Sequence, residues 1–375
     1  MRFSGFDDEW IEEKLGNLVQ IKSGECTKNL ITGIDNSIPY FKVEQLNNSL
    51  KYQIKTPYFI NDKSKIVNKG SIIFPKRGAA ILLNKIRILN QDSFMDTNLM
   101  TLTPNNKLYN EFLYYFIYKE NLSKIADTTS IPQLNNKHIK PYPIKLPSFE
   151  EQLKISKFIS SVDKKVALLS QNLEIFNDFK KGLLQQIFTQ KLRFDFSDEW
   201  NYVNFNNIFK SASTKKYQIK SAEIMANGDF EVIDQGKDEI AGYFNDKNKL
   251  CYELPIIIYG DHTTFVKFRD KPFIVGADGV KLLLPKIDSN LKYLFYALEY
   301  FNIKPEGYKR HFSIIKKIKL PIPSLEEQNE ISEMFSSVDN KLKYTQKQLQ
   351  ETKNLKKVYY NKCLFKFYSW IKIKL

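Results

Sequence analysis

One block of this sequence occurs twice, and any fold for the chain has to accommodate both copies. Lys145-Leu146-Pro147-Ser148-Phe149-Glu150-Glu151-Gln152 returns as Pro321-Ile322-Pro323-Ser324-Leu325-Glu326-Glu327-Gln328. Ser160-Ser161-Val162-Asp163 returns as Ser336-Ser337-Val338-Asp339 at the same offset, 176 positions (324 − 148 and 336 − 160). A second repeat, offset by 190 (200 − 10), joins Phe6 and Asp8-Glu9-Trp10 to Phe196 and Asp198-Glu199-Trp200. The order is opening motif, variable block, closing motif and long helical segment, run through twice. A chain of 375 residues has room for two to three domains, which fits a duplication.

The two variable blocks share a plan. In the first, Ser71-Ile72-Ile73-Phe74 leads to Lys76-Arg77-Gly78 and then to Asn84–Leu89, whose alternation sets Lys85 and Arg87 on one strand face and Ile86 and Ile88 on the other. Asn98–Leu102 is a further apolar run ending at Pro104, and Glu111–Tyr118 reads as an aromatic-rich helix. In the second, Pro255–Tyr259 leads to Gly260-Asp261-His262-Thr263-Thr264, then to Phe265–Arg269 with Lys267 and Arg269 on one face. Val280–Leu284 ends at Pro285, and Leu291–Tyr300 supplies the helix. The expected fold class is α+β, with two similar mixed α/β domains.

Residues 149–189 contain no proline and a single glycine, Gly182. Ser148 followed by Glu151 reads as a helix-start capping box. Ile155, Ile159, Val162, Val166, Leu169, Leu173, Phe176, Leu183 and Ile187 follow steps of four and three, with Lys180 filling one slot, which is a coiled-coil heptad. About 38 residues at ~1.5 Å rise make a rod of roughly 57 Å. The copy starts at Ser324 and carries Ile331, Phe335, Val338, Leu342 and Leu349, with Thr345, Thr352 and Lys356 weakening its seam. Neither rod hides its stripe alone. Antiparallel pairing of the two copies hides both and gives a pseudo-two-fold arrangement with a domain at each end; two unrelated surface helices are the alternative.

Composition narrows the partners. The formal net charge is +15, which suits a polyanion, although lysine-rich coding also produces such an excess. The three cysteines (Cys26, Cys251, Cys363) and three histidines (His138, His262, His311) are scattered, so neither a disulfide framework nor a zinc site is expected. No signal peptide or bilayer-spanning run is visible, and the expected setting is the cytoplasm without a membrane.

Together these features resemble the specificity subunits of type I restriction–modification enzymes, over essentially the whole chain. The carriers are Leu146–Gln152 and Ile322–Gln328, the heptad helices behind them and the Asp-Glu-Trp repeats, loosely echoed at Phe367-Tyr368-Ser369-Trp370. Ile73-Phe74-Pro75-Lys76-Arg77-Gly78-Ala79-Ala80, Tyr259-Gly260-Asp261-His262-Thr263 and Val275-Gly276-Ala277-Asp278-Gly279 look like motifs of that family's target recognition domains. The resemblance implies target recognition domain 1 over 1–147, a first spacer helix over 148–190, target recognition domain 2 over 191–322, and a second spacer helix with a C-terminal tail over 323–375. It implies that each domain reads half of a split double-stranded DNA target, with the helices fixing the spacer. It further implies that two methyltransferase subunits dock on this scaffold and that motor/nuclease restriction subunits join in the full complex. By the same resemblance S-adenosylmethionine would belong to the methyltransferase partners, and this chain itself is expected to carry no cofactor, no metal and no catalytic residue.

Several side chains are candidates for DNA contact. Lys76, Arg77, Lys85 and Arg87 form the basic cluster of the first domain, readable also as a solvated strand edge. Asp261, His262, Thr263, Thr264, Lys267 and Arg269 form the matching set of the second. Gln133, Asn135, Asn136, Lys137 and Lys140, before the first closing motif, and Lys309, Arg310 and His311, before the second, combine amides and cations able to bond bases or phosphates; ordinary loops have the same composition. Glu150, Glu151, Glu326 and Glu327 sit where helix starts favour acids, a structural role rather than a catalytic one. Asp163-Lys164-Lys165 and Asp339-Asn340-Lys341 superficially match the tail of a nuclease motif but lie mid-helix beside Val162 and Val338. A stand-alone nuclease or methyltransferase with duplicated binding domains is the alternative function.

Overall fold

A computed structural model describes residues 3–27, 30–32, 37–127, 131–276, 278–307 and 309–363. The Phe367–Trp370 echo, Ala277 and Tyr308 therefore lie outside the described residues. The chain divides into two compact units, Met1–Leu168 with Leu349–Leu375, and Leu169–Gln348. Each unit thus holds one variable block, the start of one long helix and the end of the other.

In unit 1, Ile11–Lys14 pairs antiparallel with Pro143–Leu146, so the opening and closing motifs are hydrogen-bonded neighbours. A five-stranded sheet runs in the order Val19–Ser23, Leu99–Pro104, Ile72–Pro75, Arg87–Leu89, Tyr52–Gln53. A three-stranded sheet places Ile38–Phe41 between Phe59–Ile60 and Phe94–Met95. Ile72 and Ile73 are both fully buried on opposite faces of one strand, Ile72 in a core with the helix Asn110–Glu120 and Ile73 in a core with the second sheet. This double burial explains why the strand reads as a continuous apolar run rather than an alternation.

Unit 2 repeats the plan. Asn201–Asn204 pairs antiparallel with Lys319–Ile322. One sheet has the order Phe209–Ala212, Val280–Pro285, Ile256–Gly260, Val266–Arg269, and the other Gln218–Ile219, Ile274–Gly276, Phe230–Ile233, Gly242–Phe244. The core helix here is Leu291–Tyr300. Ile257 and Ile258 divide between the two cores as Ile72 and Ile73 do.

The long helices are continuous over Phe149–Phe188 and Leu325–Cys363. Within unit 1, Phe158 packs on Tyr359 (4.6 Å between ring centroids) and Asp163 pairs with Lys356 at 2.6 Å, so one helix ascends as the other descends. Within unit 2, Lys180 pairs with Asp339 at 3.0 Å, and Arg193, just past the first helix, reaches Glu327 at the start of the second. The helices are therefore antiparallel in each unit. Of the heptad positions, Val162, Leu169, Val338 and Leu349 are buried, and Val166, Leu173, Phe176 and Leu342 are half-buried. Ile155 and Ile159 also belong to the core of unit 1, and Ile331 and Phe335 to that of unit 2. The first turns of each helix are thus fused to the block that precedes them.

The expected weakening at Thr345, Thr352 and Lys356 takes a different form. Both threonines are buried, and Thr345 returns its hydroxyl to the Lys341 carbonyl at 2.8 Å. Lys356 and Lys180, which occupy equivalent positions (356 − 180 is 176), each meet the aspartate of a Ser-Ser-Val-Asp motif. Asp163 also accepts from the Tyr115 hydroxyl at 3.1 Å, and Asp339 from that of Tyr296 at 2.7 Å. Lys180 reaches Glu299 as well, at 3.0 Å. Burial alone would push the Lys180 ammonium down; Glu299 and Asp339 together more than offset it, leaving its pKa raised. Each unit thus carries a Lys–Asp ion pair between its two helical segments.

Candidate nucleic-acid interface

The duplicated motif forms a clasp. Ser148 and Ser324 each accept a backbone N–H from the glutamate three residues on, at 3.3 Å, which is half of a capping box. Those glutamates, fully buried, instead accept the indole N–H of the opening motif: Trp10 to Glu151 at 3.1 Å, Trp200 to Glu327 at 3.0 Å. Arg193 adds two bonds to Glu327, at 2.8 and 2.9 Å. The glutamine that follows accepts a backbone N–H at the start of the core helix, Tyr109 to Gln152 at 2.8 Å and Asn290 to Gln328 at 2.9 Å. Glu151 and Glu327 thus have the Trp10 and Trp200 indoles as partners. A buried carboxylate needs such donors.

What the clasp leaves outside is a corner of loops at the end of each sheet. In unit 1, Lys76 donates its amide to the Asn98 carbonyl (2.8 Å), and Leu134 donates to the Lys76 carbonyl (2.8 Å). Gly78, at φ +83°, donates to the Pro132 carbonyl (2.9 Å), and Arg77 bridges Gln133 through the backbone. The same pattern recurs in unit 2: Asp261 donates to Gly279 (2.7 Å) and His311 to Asp261 (2.7 Å). Two stretches read separately in the sequence, Lys76–Arg77 with Gln133–Asn135 and Asp261–Thr264 with Lys309–His311, are thus neighbours.

The candidates meet different surroundings there. Arg77, Asn136, Lys137 and Lys140 are exposed in unit 1, as are Lys309 and Arg310 in unit 2. Lys137 and His138 flank Asp127, both at 3.2 Å, and the Lys137 hydrogen bond holds the Asp127 carboxyl below its usual range. Lys309 pairs with Glu306. Gln133 and Asn135 are half-buried, and Asn135 accepts at its amide the role of helix start, donating its N–H to His138 Nδ1 at 3.1 Å. Lys76 is half-buried, its pKa lowered by burial and then by Arg77.

Others are engaged by groups of their own unit. Lys85 bonds the Asn47 side chain, and Arg87 donates to the Leu46 and Ile86 carbonyls. The strand there is only Arg87–Leu89, shorter than the alternation predicts, because Ala79–Ile81 and the turn after it take up the preceding residues. Lys267 is buried, and its ammonium donates to the Asp234 carbonyl at 3.0 Å and to that of Asp238. Arg269 pairs with Glu231 and Glu239. Asp261 is buried and accepts the Phe312 amide (2.9 Å). His311 is buried between Asp261 and Glu306; its Nε2 accepts the Glu306 amide at 3.0 Å, which assigns the proton to Nδ1, 3.1 Å from the Asp261 carbonyl. Thr264 adopts φ +61° and is buried.

Sequence reading passed over Gln235. Its side chain accepts the His262 amide (3.1 Å) and donates to the Asp278 carbonyl (3.2 Å), while its own carbonyl accepts from Thr263. A Cβ on Gly279, at φ +87°, would come within 2.7 Å of that amide. The available signal was the polar turn Asp234-Gln235-Gly236 closing the apolar run Phe230–Ile233. Among the described residues no group of His, Cys, Asp and Glu is placed to hold a metal, and no helix is long and apolar enough to cross a membrane.

Two mixed α/β blocks, each clasped to the start of the long helix that follows it and each presenting a corner of amides and cations, define a duplicated recognition scaffold. The chain belongs to the type I restriction modification DNA specificity domain family, which residues 7–175 and 197–354 match. It is 24% identical over 397 residues to the type I restriction enzyme MjaVIII specificity subunit of Methanocaldococcus jannaschii, covering 93% of this chain and 91% of that one. Its fold is similar to the crystal structure of the type I restriction–modification S subunit from M. genitalium, with a TM-score of 0.67, 17% identity and 98% of both chains covered. A structure described in terms of complex assembly and conformational transition of the type I system matches at TM-score 0.50 and 14% identity, covering 96% of this chain and 99% of that one.

Proposed function

We propose that this chain is the non-catalytic, sequence-specific DNA-binding subunit of a type I restriction–modification complex, with each domain reading one half of a bipartite target. The observation that carries the reading is the recurrence, in both units, of one loop corner hung on one backbone frame (Lys76–Asn98–Leu134 and Asp261–Gly279–His311) with different side chains on it. A shared frame with divergent polar surfaces is what two readers of different half-sites require. In this reading residues 1–147 and 191–322 are the recognition domains and 148–190 and 323–375 the helical segments. Arg77, Lys137, Lys140, Lys309 and Arg310 supply phosphate contacts, and Gln133, Asn135, Asn136 and His262 lie nearest the base edges. Methylation and cleavage belong to partners: two methyltransferase subunits carrying S-adenosylmethionine, and motor/nuclease subunits, in the cytoplasm.

The assignment is tested by mapping methylated adenines across the host genome, with and without this chain. A two-part motif lost on deletion of this chain is expected. Methylation or cleavage by the purified chain alone with Mg²⁺ and S-adenosylmethionine would overturn the assignment.

A further inference from the structure

The two units differ at one edge. In unit 1 the strand Arg87–Leu89 is covered by Tyr52–Gln53, which pairs parallel to it; Ile88 donates to the Lys51 carbonyl (2.8 Å) and Asn90 to that of Gln53 (3.1 Å). In unit 2 the equivalent strand, Val266–Arg269, ends the sheet. The registers Ile72↔Ile88 and Ile257↔Phe268 make Phe268 and Asp270 the counterparts of Ile88 and Asn90. The cause is visible in the chain. Between the strands Ile38–Phe41 and Phe59–Ile60 unit 1 has 17 residues, 42–58, whereas between Phe230–Ile233 and Gly242–Phe244 unit 2 has 8, 234–241. The shorter link has no residues left for a fifth strand.

What the covering strand does in unit 1 is equally specific. Lys51 drops its ammonium between Glu111 (3.0 Å), the Tyr115 hydroxyl (2.9 Å) and Ser160 (3.3 Å), and Tyr52 bonds Glu111. In unit 2 the same three positions carry Lys292, Tyr296 and Ser336, aligned by the shared helix starts at Tyr109 and Asn290 and by the Ser-Ser-Val-Asp repeat. The carboxylate has become an ammonium. Lys292 donates to Ser336 at 3.4 Å and lies over the Phe268 ring, and among the described residues it faces no carboxylate in an ion pair. Two open grooves share Asn290 and Lys292 in their lining, one also lined by Leu254, Phe268 and Asp270, the other by Ser332, Glu333 and Ser336.

We infer that the outer edge of Val266–Arg269 is a docking site for an extended acidic segment of a partner protein. The segment adds as a parallel fifth strand and sets a carboxylate against Lys292 and Ser336. Unpaired edge amides give such a strand its main-chain bonds, and the reversed charge chooses its side chain. Unit 1 supplies the template, with the same fold, register and covering geometry and the opposite charge. The inference concerns a protein partner and stands independently of DNA reading.

The test uses the full chain and two synthetic peptides. One has the sequence of residues 49–54; the other carries the change Lys51→Glu. Fluorescence anisotropy to millimolar peptide measures binding, and hydrogen exchange reports the amides of Phe268 and Asp270. The glutamate peptide is expected to bind, to slow exchange at both amides, and to bind about tenfold more tightly than the lysine peptide. Lys292→Glu is expected to invert that preference while leaving duplex binding unchanged. Absence of binding at millimolar peptide, protection elsewhere but not at these amides, or a preference unmoved by Lys292→Glu would each overturn the inference.

Discussion

Replacing Lys180 with methionine tests the charged cross-link of the helix seam. The ammonium, 13% exposed, sits 3.0 Å from both Glu299 and Asp339, whose side chains are 36% and 34% exposed. Removing one partner from a buried pair costs about 3–5 kcal/mol. The carboxylates are one-third in water, which screens the loss, so the expected cost is about 2 kcal/mol, or roughly thirtyfold in the opening equilibrium. The deficit has a pH signature. Burial already raises the Glu299 carboxyl, with Lys180 holding it down, so the substitution raises it further. A folded-state pKa above the unfolded one means the folded form takes up the proton more readily. The penalty is therefore full at neutral pH and shrinks as pH falls through the raised value. Hydrogen exchange of peptides spanning 172–188 and 332–348, compared at pH 7 and pH 4.5, reads both effects. A variant that opens no more easily than the parent at pH 7, or whose deficit is the same at both pH values, would refute the reasoning.

Trp200→Phe removes one donor from the buried Glu327 while Arg193 remains, and should lower the urea midpoint by an amount equivalent to about 1–2 kcal/mol. Arg77→Ala should weaken duplex binding and reduce the salt slope by about one, measured by anisotropy between 50 and 200 mM salt. Arg87→Met should instead destabilise unit 1 in urea with an unchanged slope for the folded fraction, because its guanidinium is committed to the Leu46 and Ile86 carbonyls. Lys119, bonded to the Tyr360 carbonyl at 3.0 Å, has its pKa lowered by burial to about 8. A lysine depressed in this way costs stability below that pH and recovers it as pH rises from about 8 toward 10. Exchange at the Tyr360 end of the second helix should therefore slow over that window at constant intrinsic rate, and Lys119→Met should abolish the dependence.

Much of this fold was legible in the chain because it is carried by local pattern. Heptad spacing marked the rods, proline after apolar runs marked strand ends, and the 176-residue offset marked the duplication; each is a short-range periodicity that packing then uses. The site was legible only as segments. Lys76–Arg77 and Gln133–Asn135 read as two separate stretches, and nothing in their spacing announces that Leu134 caps the Lys76 carbonyl. Lys267 and Arg87 read as exposed cations from alternation alone. Alternation gives a face but not what covers it, and here that face is covered by the 234–239 and 43–48 segments, whose carbonyls take the charge.

The sequence by itself determined that there are two blocks of one kind, that two long apolar stripes needed partners, and that acids would stand at both helix starts. Only the tertiary structure decided that the Trp10 and Trp200 indoles would be the partners of those acids, that Lys180 and Lys356 would meet Ser-Ser-Val-Asp aspartates across the helices, and that one sheet edge would carry a further strand while the other, among the described residues, ends its sheet. Periodicity sets which side of an element is apolar, because it acts within a few residues. The choice of partner for a buried charge or an open strand edge is made between residues more than a hundred positions apart or by the length of a connecting loop, and it is fixed only when desolvation and hydrogen bonding are settled together in the packed chain.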